Sequence, residues 1–203
     1  MNVTEMLGFV TGALCVWLVA RQNIWNWPIG ICNNLLYLVV FSRSGLYADA
    51  GLQIVFGFLG VYGWWAWQNR DPALSALKVT KTPIATWAWL AALMVASALL
   101  LRFLLSRYTD SIVPGWDGVT TAISLAATYG QCRKLLESWW LWILADLIYI
   151  PLYVYKGLQL TAVLYVVFLI LCIVGLRGWW QALAMEKAES HGLEVIKLRS
   201  DEP

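Results

Sequence analysis

Seven apolar stretches separated by short polar loops dominate the pattern of hydrophobic and polar positions along this chain. They cover approximately residues 6–20, 25–41, 50–68, 83–105, 117–131, 139–155 and 160–182. A transmembrane helix needs about 20 apolar residues, and its backbone polar groups must be paired within the segment. We therefore expect seven membrane-spanning helices, some of them tilted or completed by loop residues. The pattern predicts an all-α membrane protein.

The composition supports this prediction. Of the 203 residues, 61% are hydrophobic and 13% are charged, with a mean hydropathy of +0.66, whereas a globular domain has about 25% charged residues. The first stretch lacks a basic leader and a small-residue cleavage pattern, so we expect a retained span rather than a signal peptide. Residues 1–182 are predicted to form one transmembrane domain, followed by a polar tail at 183–203.

The cysteines and the net charge argue against several kinds of site. The chain has four cysteines: Cys15, Cys32, Cys132 and Cys172. None pairs in a Cys-x-x-Cys spacing, so neither a disulfide framework nor a metal cluster is supported. The net charge of +2 comes from basic residues scattered over short loops, which is not the basic patch that binds nucleic acid. The sequence predicts no cofactor, no metal and no nucleic-acid partner.

Lysines and arginines are divided unevenly between the two sides of the predicted membrane domain. With seven spans, four of the 14 lie on the side of the N-terminus: Arg43, Arg102, Arg107 and Lys156. The other ten lie on the opposite side: Arg21, Arg70, Lys78, Lys81, Arg133, Lys134, Arg177, Lys187, Lys197 and Arg199. The positive-inside rule therefore predicts a periplasmic N-terminus and a cytoplasmic C-terminal tail.

The sequence also repeats itself when it is shifted so that Trp27 meets Trp139, and we call this shift the repeat offset. The other pairs that then match are Tyr37/Tyr149, Gly45/Gly157, Leu46/Leu158, Ala50/Ala162, Leu52/Leu164 and Phe56/Phe168. With three residues inserted later in the second copy, Gly63-Trp64-Trp65 matches Gly178-Trp179-Trp180. This ordered series predicts two related units.

The two units span about residues 6–68 and 117–182, with a linking helix at about 83–105. Three spans plus one linking span reverse the chain direction an even number of times, so both units enter the membrane from the same side. The prediction is a 3+1+3 parallel repeat, an arrangement of transporters that hold substrate near the membrane midplane between the halves.

One stretch of the second unit combines tryptophans with an acidic residue. Trp139, Trp142 and Asp146 are spaced i, i+3 and i+7, and they share one face of a helix. Asp146 is the one acidic residue well inside a long apolar stretch, where a carboxylate normally faces a partner or a watery cavity. Two indoles beside a carboxyl group suit a flat, cationic, hydrogen-bonding ligand. The alternative for tryptophans at a helix start is an interfacial anchor.

The first unit offers neutral polar groups at the equivalent depth. Trp27 corresponds to Trp139, and Asn34 corresponds to Asp146, with Asn33 beside it. Facing helices from the two units would enclose an asymmetric ligand. Alternatively, the asparagines form hydrogen bonds between helices.

Two glutamines complete the candidate site. Gln53 lies inside the third span and Gln131 ends the fifth, and either side chain can bind a ligand or another helix. The predicted substrate-binding residues are Trp27, Asn33, Asn34, Gln53, Gln131, Trp139, Trp142 and Asp146.

These residues carry a resemblance to a known family. The chain resembles the PnuC-type nicotinamide riboside transporters in the runs Asn26-Trp27-Pro28-x-Gly30-x-x-Asn33, Leu46-Tyr47-Ala48-Asp49, Leu52-Gln53 and Tyr62-Gly63-Trp64-Trp65-x-Trp67. It also resembles them in Trp116-Asp117 and in Trp139-x-x-Trp142 with a polar residue at 146. The resemblance covers about residues 7–182, and it is specific through the order and spacing of the motifs.

The resemblance implies an importer of a vitamin precursor. It implies a 3+1+3 helix fold related to the SWEET sugar carriers, and a homotrimer in the bacterial inner membrane. The implied activity is facilitated diffusion of nicotinamide riboside, which is then trapped by phosphorylation in the cytoplasm. Family members that carry nicotinamide riboside commonly have Asn where this chain has Asp146. Thiamine and riboflavin, which related Pnu-type carriers transport, are therefore the alternative cargoes.

Two other classes of protein fit the sequence less well. The spans contain no histidine, no His-Glu-x-x-His motif, no paired carboxylates, no Gly-x-Ser-x-Gly elbow and no P-loop, so an enzyme is not predicted. A signalling or assembly protein would account for aromatic residues at the helix ends but not for Asp146. Proton coupling through Asp146 is a further hypothesis.

Overall fold

The computed structural model describes residues 3–43, 47–68, 78–108, 114–155, 157 and 159–200. Within these residues the chain forms seven α-helices: α1 (Val3–Ala20), α2 (Asn26–Arg43), α3 (Tyr47–Gln68), α4 (Ile84–Tyr108), α5 (Pro114–Cys132), α6 (Ser138–Tyr155) and α7 (Gln159–Ser200). Each helix covers one predicted apolar stretch, so the all-α prediction is confirmed. Some residues used in the sequence comparison and the charge count lie outside the described residues: Gly45, Leu46, Arg70, Lys156 and Leu158.

The helices differ in apolar character. In the described part of the chain, three segments are long and apolar enough to cross a membrane: Ile84–Tyr108, Ser138–Tyr155 and Thr161–Glu189. The other helices are more polar because they carry hydrogen-bonding side chains such as Asn33, Gln53 and Thr128. Beyond residue 182, α7 continues through the polar tail, whose Ala, Glu, Met and Lys residues favour a helix.

To describe the contacts between helices, we refer to α1–α3 as the first group and to α5–α7 as the second group. In the first group α1 contacts α2 and α2 contacts α3, and in the second α5 contacts α6 and α6 contacts α7. The groups meet where α1 packs against α7 and α3 packs against α5, while α4 lies mainly against α5. This pattern of contacts leaves space between the groups.

Helices α1 and α5 end with the same turn. Gln22 and Lys134, which follow these helices, have left-handed φ angles of 52° and 50°. The next backbone N–H reaches back to the carbonyl five positions earlier, at 2.9 Å after α1 and 2.8 Å after α5. A left-handed residue with this bond is a Schellman motif, which satisfies the last carbonyls of a helix. The two motifs are related by the repeat offset found in the sequence.

Tryptophans from α3 and α7 bind the carbonyls at these two helix ends. Trp67 Nε1 donates to the carbonyl of Gln131 in α5 at 3.1 Å. Trp179 Nε1 donates to the carbonyl of Val19 in α1, also at 3.1 Å. Each group of helices therefore donates one buried indole hydrogen bond to the other group. We call these two bonds the crossed indole bonds.

A polar contact lies next to the crossed indole bonds. Lys134 Nζ donates to Gln22 Oε1 at 3.1 Å, which joins the two left-handed residues directly. The same ammonium group lies 4.5 Å from the centroid of the Trp67 ring, a distance at which a cation is attracted to an indole face. The two helix ends are thus connected by side chains as well as by the crossed indole bonds.

Four tryptophans form a continuous buried cluster at this end of the helices, and we call it the tryptophan cluster: Trp27, Trp67, Trp139 and Trp179. Trp27 meets Trp67 edge to face at a centroid distance of 5.4 Å, and Trp139 meets Trp179 in the same way at 5.4 Å. Trp67 and Trp179 connect the two pairs at 6.3 Å. Edge-to-face pairs at such distances are favourable beyond the area that they bury.

Glycines make room for the two outer indoles of the tryptophan cluster. A side chain at Gly63 would overlap the ring of Trp27, and a side chain at Gly175 would overlap the ring of Trp139. Gly63 therefore corresponds to Gly175, again at the repeat offset. The three-residue insertion inferred from the shared Gly-Trp-Trp sequence is wrong, because the contacts align Gly63 with Gly175 rather than with Gly178.

The segment before α4 is attached to the turn between α5 and α6. Thr80 forms a parallel β-bridge with Leu135 in this turn. The Thr80 carbonyl accepts a hydrogen bond from the N–H of Leu136 at 2.9 Å, and the Thr80 N–H donates to the carbonyl of Lys134 at 3.1 Å. The carboxylate of Glu137 accepts hydrogen bonds from Thr82 N–H at 2.8 Å and from its hydroxyl at 2.7 Å. These bonds attach the start of α4 to the second group.

We expect Gly175→Ala to destabilise the protein by about 1–3 kcal/mol, because overpacking a well-filled interior costs this much. Gly63→Ala should behave similarly, since it also faces an indole. Gly57→Ala is the matched control, because a Cβ there meets no atom within 4 Å. Thermal unfolding of the three variants in detergent measures the effect. A Gly175→Ala protein as stable as the Gly57→Ala control would contradict the packing described.

Candidate functional site

A cavity of about 580 Å³ lies between the two groups of helices. Its walls come from α1, α2 and α3 on one side and from α5, α6 and α7 on the other. Val19, Trp27 and Gln131 line the cavity and also belong to the region of the crossed indole bonds. This volume lies within the range of about 300–1,000 Å³ that is usual for small-molecule sites.

The cavity brings together most of the residues that the sequence singled out. The lining includes Trp27, Asn33, Asn34, Gln53, Gln131, Trp142 and Asp146. They come from four helices, so the helix packing rather than any one motif assembles them. Helical spacing explains the selection on α2, where Trp27, Asn34 and the residues between them at i+3 and i+4 face the same way.

Trp139 is placed elsewhere. Its side chain is fully buried between Gly175 and Trp179 and does not line the cavity. The expectation that Trp139 and Trp142 present a common face to a ligand therefore differs from the structure. The cause lies on α7, where Gly175 leaves a gap that the larger indole fills. Trp142, one turn later, is the indole of α6 that reaches the cavity.

Four buried polar atoms of the lining have no hydrogen-bond partner in the described part of the chain. They are Asn26 Oδ1, Trp27 Nε1, Trp142 Nε1 and Asp146 Oδ2. Buried polar groups are normally paired, and an unpaired group carries the full cost of its desolvation. Two unpaired donors and two unpaired acceptors around one cavity therefore offer matched hydrogen-bonding positions for a ligand or for water.

Asp146 is positioned by a neighbour on α7. Its side chain is only 2% exposed, and its carboxyl group accepts a hydrogen bond from the Cys172 thiol. The other feature of this carboxyl group is that its Oδ2 atom is buried and has no partner among the described residues. No arginine or lysine forms a salt bridge with Asp146 among the described residues. The unpaired oxygen is thus available as an acceptor for a ligand in the cavity.

Aromatic pairs lie in α2 and α6, one to two turns beyond Asn34 and Asp146. Tyr37 and Phe41 stack at a centroid distance of 5.6 Å with an interplanar angle of 25°, and Tyr149 and Tyr153 stack at 5.6 Å and 23°. The two pairs are again related by the repeat offset. Tyr37, Phe41 and Tyr153 line the cavity, together with Tyr165 of α7.

Several lining residues were not predicted from the sequence. Asn26, Gly30, Tyr153, Tyr165 and Cys172 all line the cavity. Helical spacing from Trp27 and Asn34 was a usable signal for Gly30. Helical spacing was also a usable signal for Tyr153, which lies two turns after Asp146 on the same helix. No local pattern distinguishes Tyr165 or Cys172, because the part of α7 that contains them is apolar around its whole circumference.

Apolar helices that enclose a cavity lined with unpaired polar groups define a membrane transporter for a small molecule. Comparison with known proteins agrees with this class. The chain belongs to the nicotinamide mononucleotide transporter family, whose sequence profile matches residues 2–181. The resemblance to the PnuC-type transporters is thereby confirmed.

Individual relatives carry different vitamins. The chain is 29% identical over 181 residues to the riboflavin/roseoflavin transporter RibM of Streptomyces davaonensis, covering 87% of this chain and 84% of the relative. It is 26% identical over 200 residues to the nicotinamide riboside transporter PnuC of Escherichia coli, covering 86% and 84%. Its fold matches a crystal structure of the vitamin B3 transporter PnuC with a TM-score of 0.70 and 23% identity, covering 90% of this chain and 82% of that chain.

We expect Asp146→Leu to stabilise the ligand-free protein by about 1–3 kcal/mol, because it removes an unpaired buried acceptor. Asp146→Asn is the matched variant, since it keeps the size and polarity of the side chain and should gain less. Thermal unfolding without ligand compares the two variants with the wild type. A lower unfolding temperature for Asp146→Leu would mean that the carboxyl group stabilises the fold instead.

Proposed function

We propose that the protein imports nicotinamide riboside by facilitated diffusion. The observation that supports this proposal best is the cavity wall in which the Trp142 indole and the unpaired Asp146 carboxyl oxygen lie one helical turn apart. A pyridinium ring stacks on an indole, and its positive charge suits a nearby carboxylate. Asn26 and Trp27 supply an acceptor and a donor for the hydroxyl and amide groups of such a ligand.

The expected energies are of the right size for a vitamin carrier. Stacking of a base on an aromatic side chain contributes about 1–3 kcal/mol, and a desolvated cation–π contact contributes about 2 kcal/mol. With several hydrogen bonds, and after the cost of ordering the ligand, these contributions suit micromolar binding, which has a free energy of about −8 kcal/mol. The remaining predicted residues of the proposed binding site are Asn33, Asn34, Gln53 and Gln131.

Riboflavin is the second candidate cargo. Its support is the RibM relative, whose identity to this chain is similar to that of PnuC. An uncharged isoalloxazine ring would use the Trp142 face and would form hydrogen bonds, rather than an ion pair, with the polar atoms of the wall. Thiamine belongs in the same comparison because its thiazolium ring also carries a positive charge.

The proposed architecture is a 3+1+3 parallel repeat. Its support is the series of contacts that recur at the repeat offset: the Schellman motifs, the crossed indole bonds, the edge-to-face tryptophan pairs and the stacked aromatic pairs. In this architecture α4 is the linking helix. The distribution of lysines and arginines supports a periplasmic N-terminus and a cytoplasmic C-terminus in a bacterial inner membrane.

The proposed transport cycle needs no energy input from this chain. Cytoplasmic phosphorylation of the imported nucleoside by a separate enzyme would keep it inside the cell and maintain the inward gradient. A homotrimer in the membrane is the assembly that we propose from the family resemblance. In this scheme the tryptophan cluster lies at the cytoplasmic ends of the helices.

Thermal unfolding of the purified protein with each vitamin tests the cargo. A ligand at 100 times its dissociation constant should stabilise the protein by about 2.7 kcal/mol. We expect nicotinamide riboside to raise the unfolding temperature, with thiamine and riboflavin compared at the same concentrations. Stabilisation by riboflavin alone would reassign the cargo within the same family.

Substitution of Trp142 tests the site. We expect Trp142→Ala to weaken ligand binding about tenfold or more, since it removes a stacking surface worth about 1–3 kcal/mol. Trp140→Ala is the matched control, because Trp140 lies on the same helix but is 55% exposed and does not line the cavity. Titration calorimetry on both variants measures the difference. Equal affinities would remove Trp142 from the proposed site.

A further inference from the structure

Four glycines line the cavity, and they are not equivalent. They are Gly8, Gly12, Gly30 and Gly60. A Cβ at Gly8 would overlap the hydroxyl of Tyr37, at Gly12 it would lie 3.2 Å from the Phe168 ring, and at Gly60 it would lie 2.9 Å from Ile31. At these three positions a neighbouring side chain already fills the space. Close packing between helices, which is a common role of glycine in membrane proteins, explains them.

Gly30 has no such explanation. A Cβ there would meet one atom within 4 Å, the Cys15 sulfur at 3.9 Å, which is an ordinary contact distance. The space next to Gly30 is therefore part of the cavity and is not filled by a neighbouring side chain. Glycine in a helix interior is less stable than alanine. Helix α2 therefore has a destabilising glycine at a position where no neighbouring protein atom would exclude a larger side chain.

The position of Gly30 within the cavity is also informative. It lies one helical turn after Asn26 and Trp27, and one turn before Asn34, all of which line the cavity. At the repeat offset, its counterpart on α6 is Trp142. The two related positions thus present an indole on one wall and an empty space on the other. A flat ring that stacks on the indole needs such a space for its own thickness.

We propose that Gly30 determines substrate size, because its absent side chain leaves the volume in which the ring of the substrate lies against Trp142. This inference rests on the proposed function, in which the substrate is a vitamin with a flat heteroaromatic ring. It names a residue of α2 that sets how large a ring the carrier accepts. Added side-chain volume at Gly30 should therefore act on binding and not on folding.

The experiment compares Gly30→Ala and Gly30→Leu with Gly57→Ala and Gly57→Leu. Gly57 is the matched control because it is also a helical glycine, a Cβ there meets nothing within 4 Å, and it does not line the cavity. Each purified variant is unfolded thermally without ligand. It is then titrated with nicotinamide riboside, thiamine and riboflavin, which are the probes used for the wild type.

We expect Gly30→Ala to bind the wild-type ligand about tenfold more weakly, since one methyl group in a fitted pocket has an effect of about 10–200-fold. Gly30→Leu should bind about a hundredfold more weakly or not at all. Both Gly57 variants should stay within about twofold of wild type. Without ligand, Gly30→Ala should unfold at or above the wild-type temperature, because the methyl group fits and alanine favours the helix.

The outcomes separate this inference from the proposed function. If the wild type binds none of the three vitamins, the proposed function is wrong and the inference fails with it. If the wild type binds one of them and Gly30→Ala binds it equally well, the inference alone is overturned. A lower unfolding temperature for Gly30→Ala than for Gly57→Ala would also overturn it, because the side chain would then be displacing protein atoms. This comparison uses the alanine variant, so it decides the question even if Gly30→Leu fails to fold.

Discussion

Two indole–carbonyl hydrogen bonds hold the two groups of helices in the arrangement that creates the cavity. Trp67 reaches from α3 to the carbonyl of Gln131, and Trp179 reaches from α7 to the carbonyl of Val19. Each acceptor sits in the last turn of a helix that ends in a Schellman motif, so the carbonyls are held in place by the backbone itself. Without these two bonds, the contacts of α1 with α7 and of α3 with α5 would each lose a buried hydrogen bond. Passage of a ligand past this end would require the two groups to separate there.

The residues that pack the helices together, which we call the frame, are similar in the two groups. Some of the residues that face the cavity differ between the groups. Frame residues correspond closely across the repeat offset, as in the pairs Gly63/Gly175 and Trp67/Trp179. Two pairs of lining positions differ in chemistry, since Gly30 is the counterpart of Trp142 and Asn34 is the counterpart of Asp146. Packing constrains the frame, because overfilling it costs stability. The asymmetry at these two pairs of lining positions matches a ligand with unlike ends.

Much of this fold follows from the sequence, while the site follows only in part. The seven helices were predictable because apolar stretches between polar loops are a strong signal of membrane spans. The Gly-Trp-Trp sequence misled the alignment of the repeats, because tryptophan-rich helix ends match easily while the role of Gly175 depends on a contact with Trp139. The direction of Trp139 was not predictable either, since helical spacing gives a face but not the neighbour that covers it. Asp146 was identifiable because an acid inside an apolar span is rare. Its bond to the Cys172 thiol depends on how α6 meets α7.

The most direct test of the account is counterflow of labelled nicotinamide riboside, thiamine or riboflavin into proteoliposomes that hold the same unlabelled vitamin. We expect saturable entry of at least one vitamin, recovered chemically unchanged, with no requirement for ATP. Entry no faster than into protein-free liposomes for all three vitamins, or recovery of a chemically altered product, would contradict it.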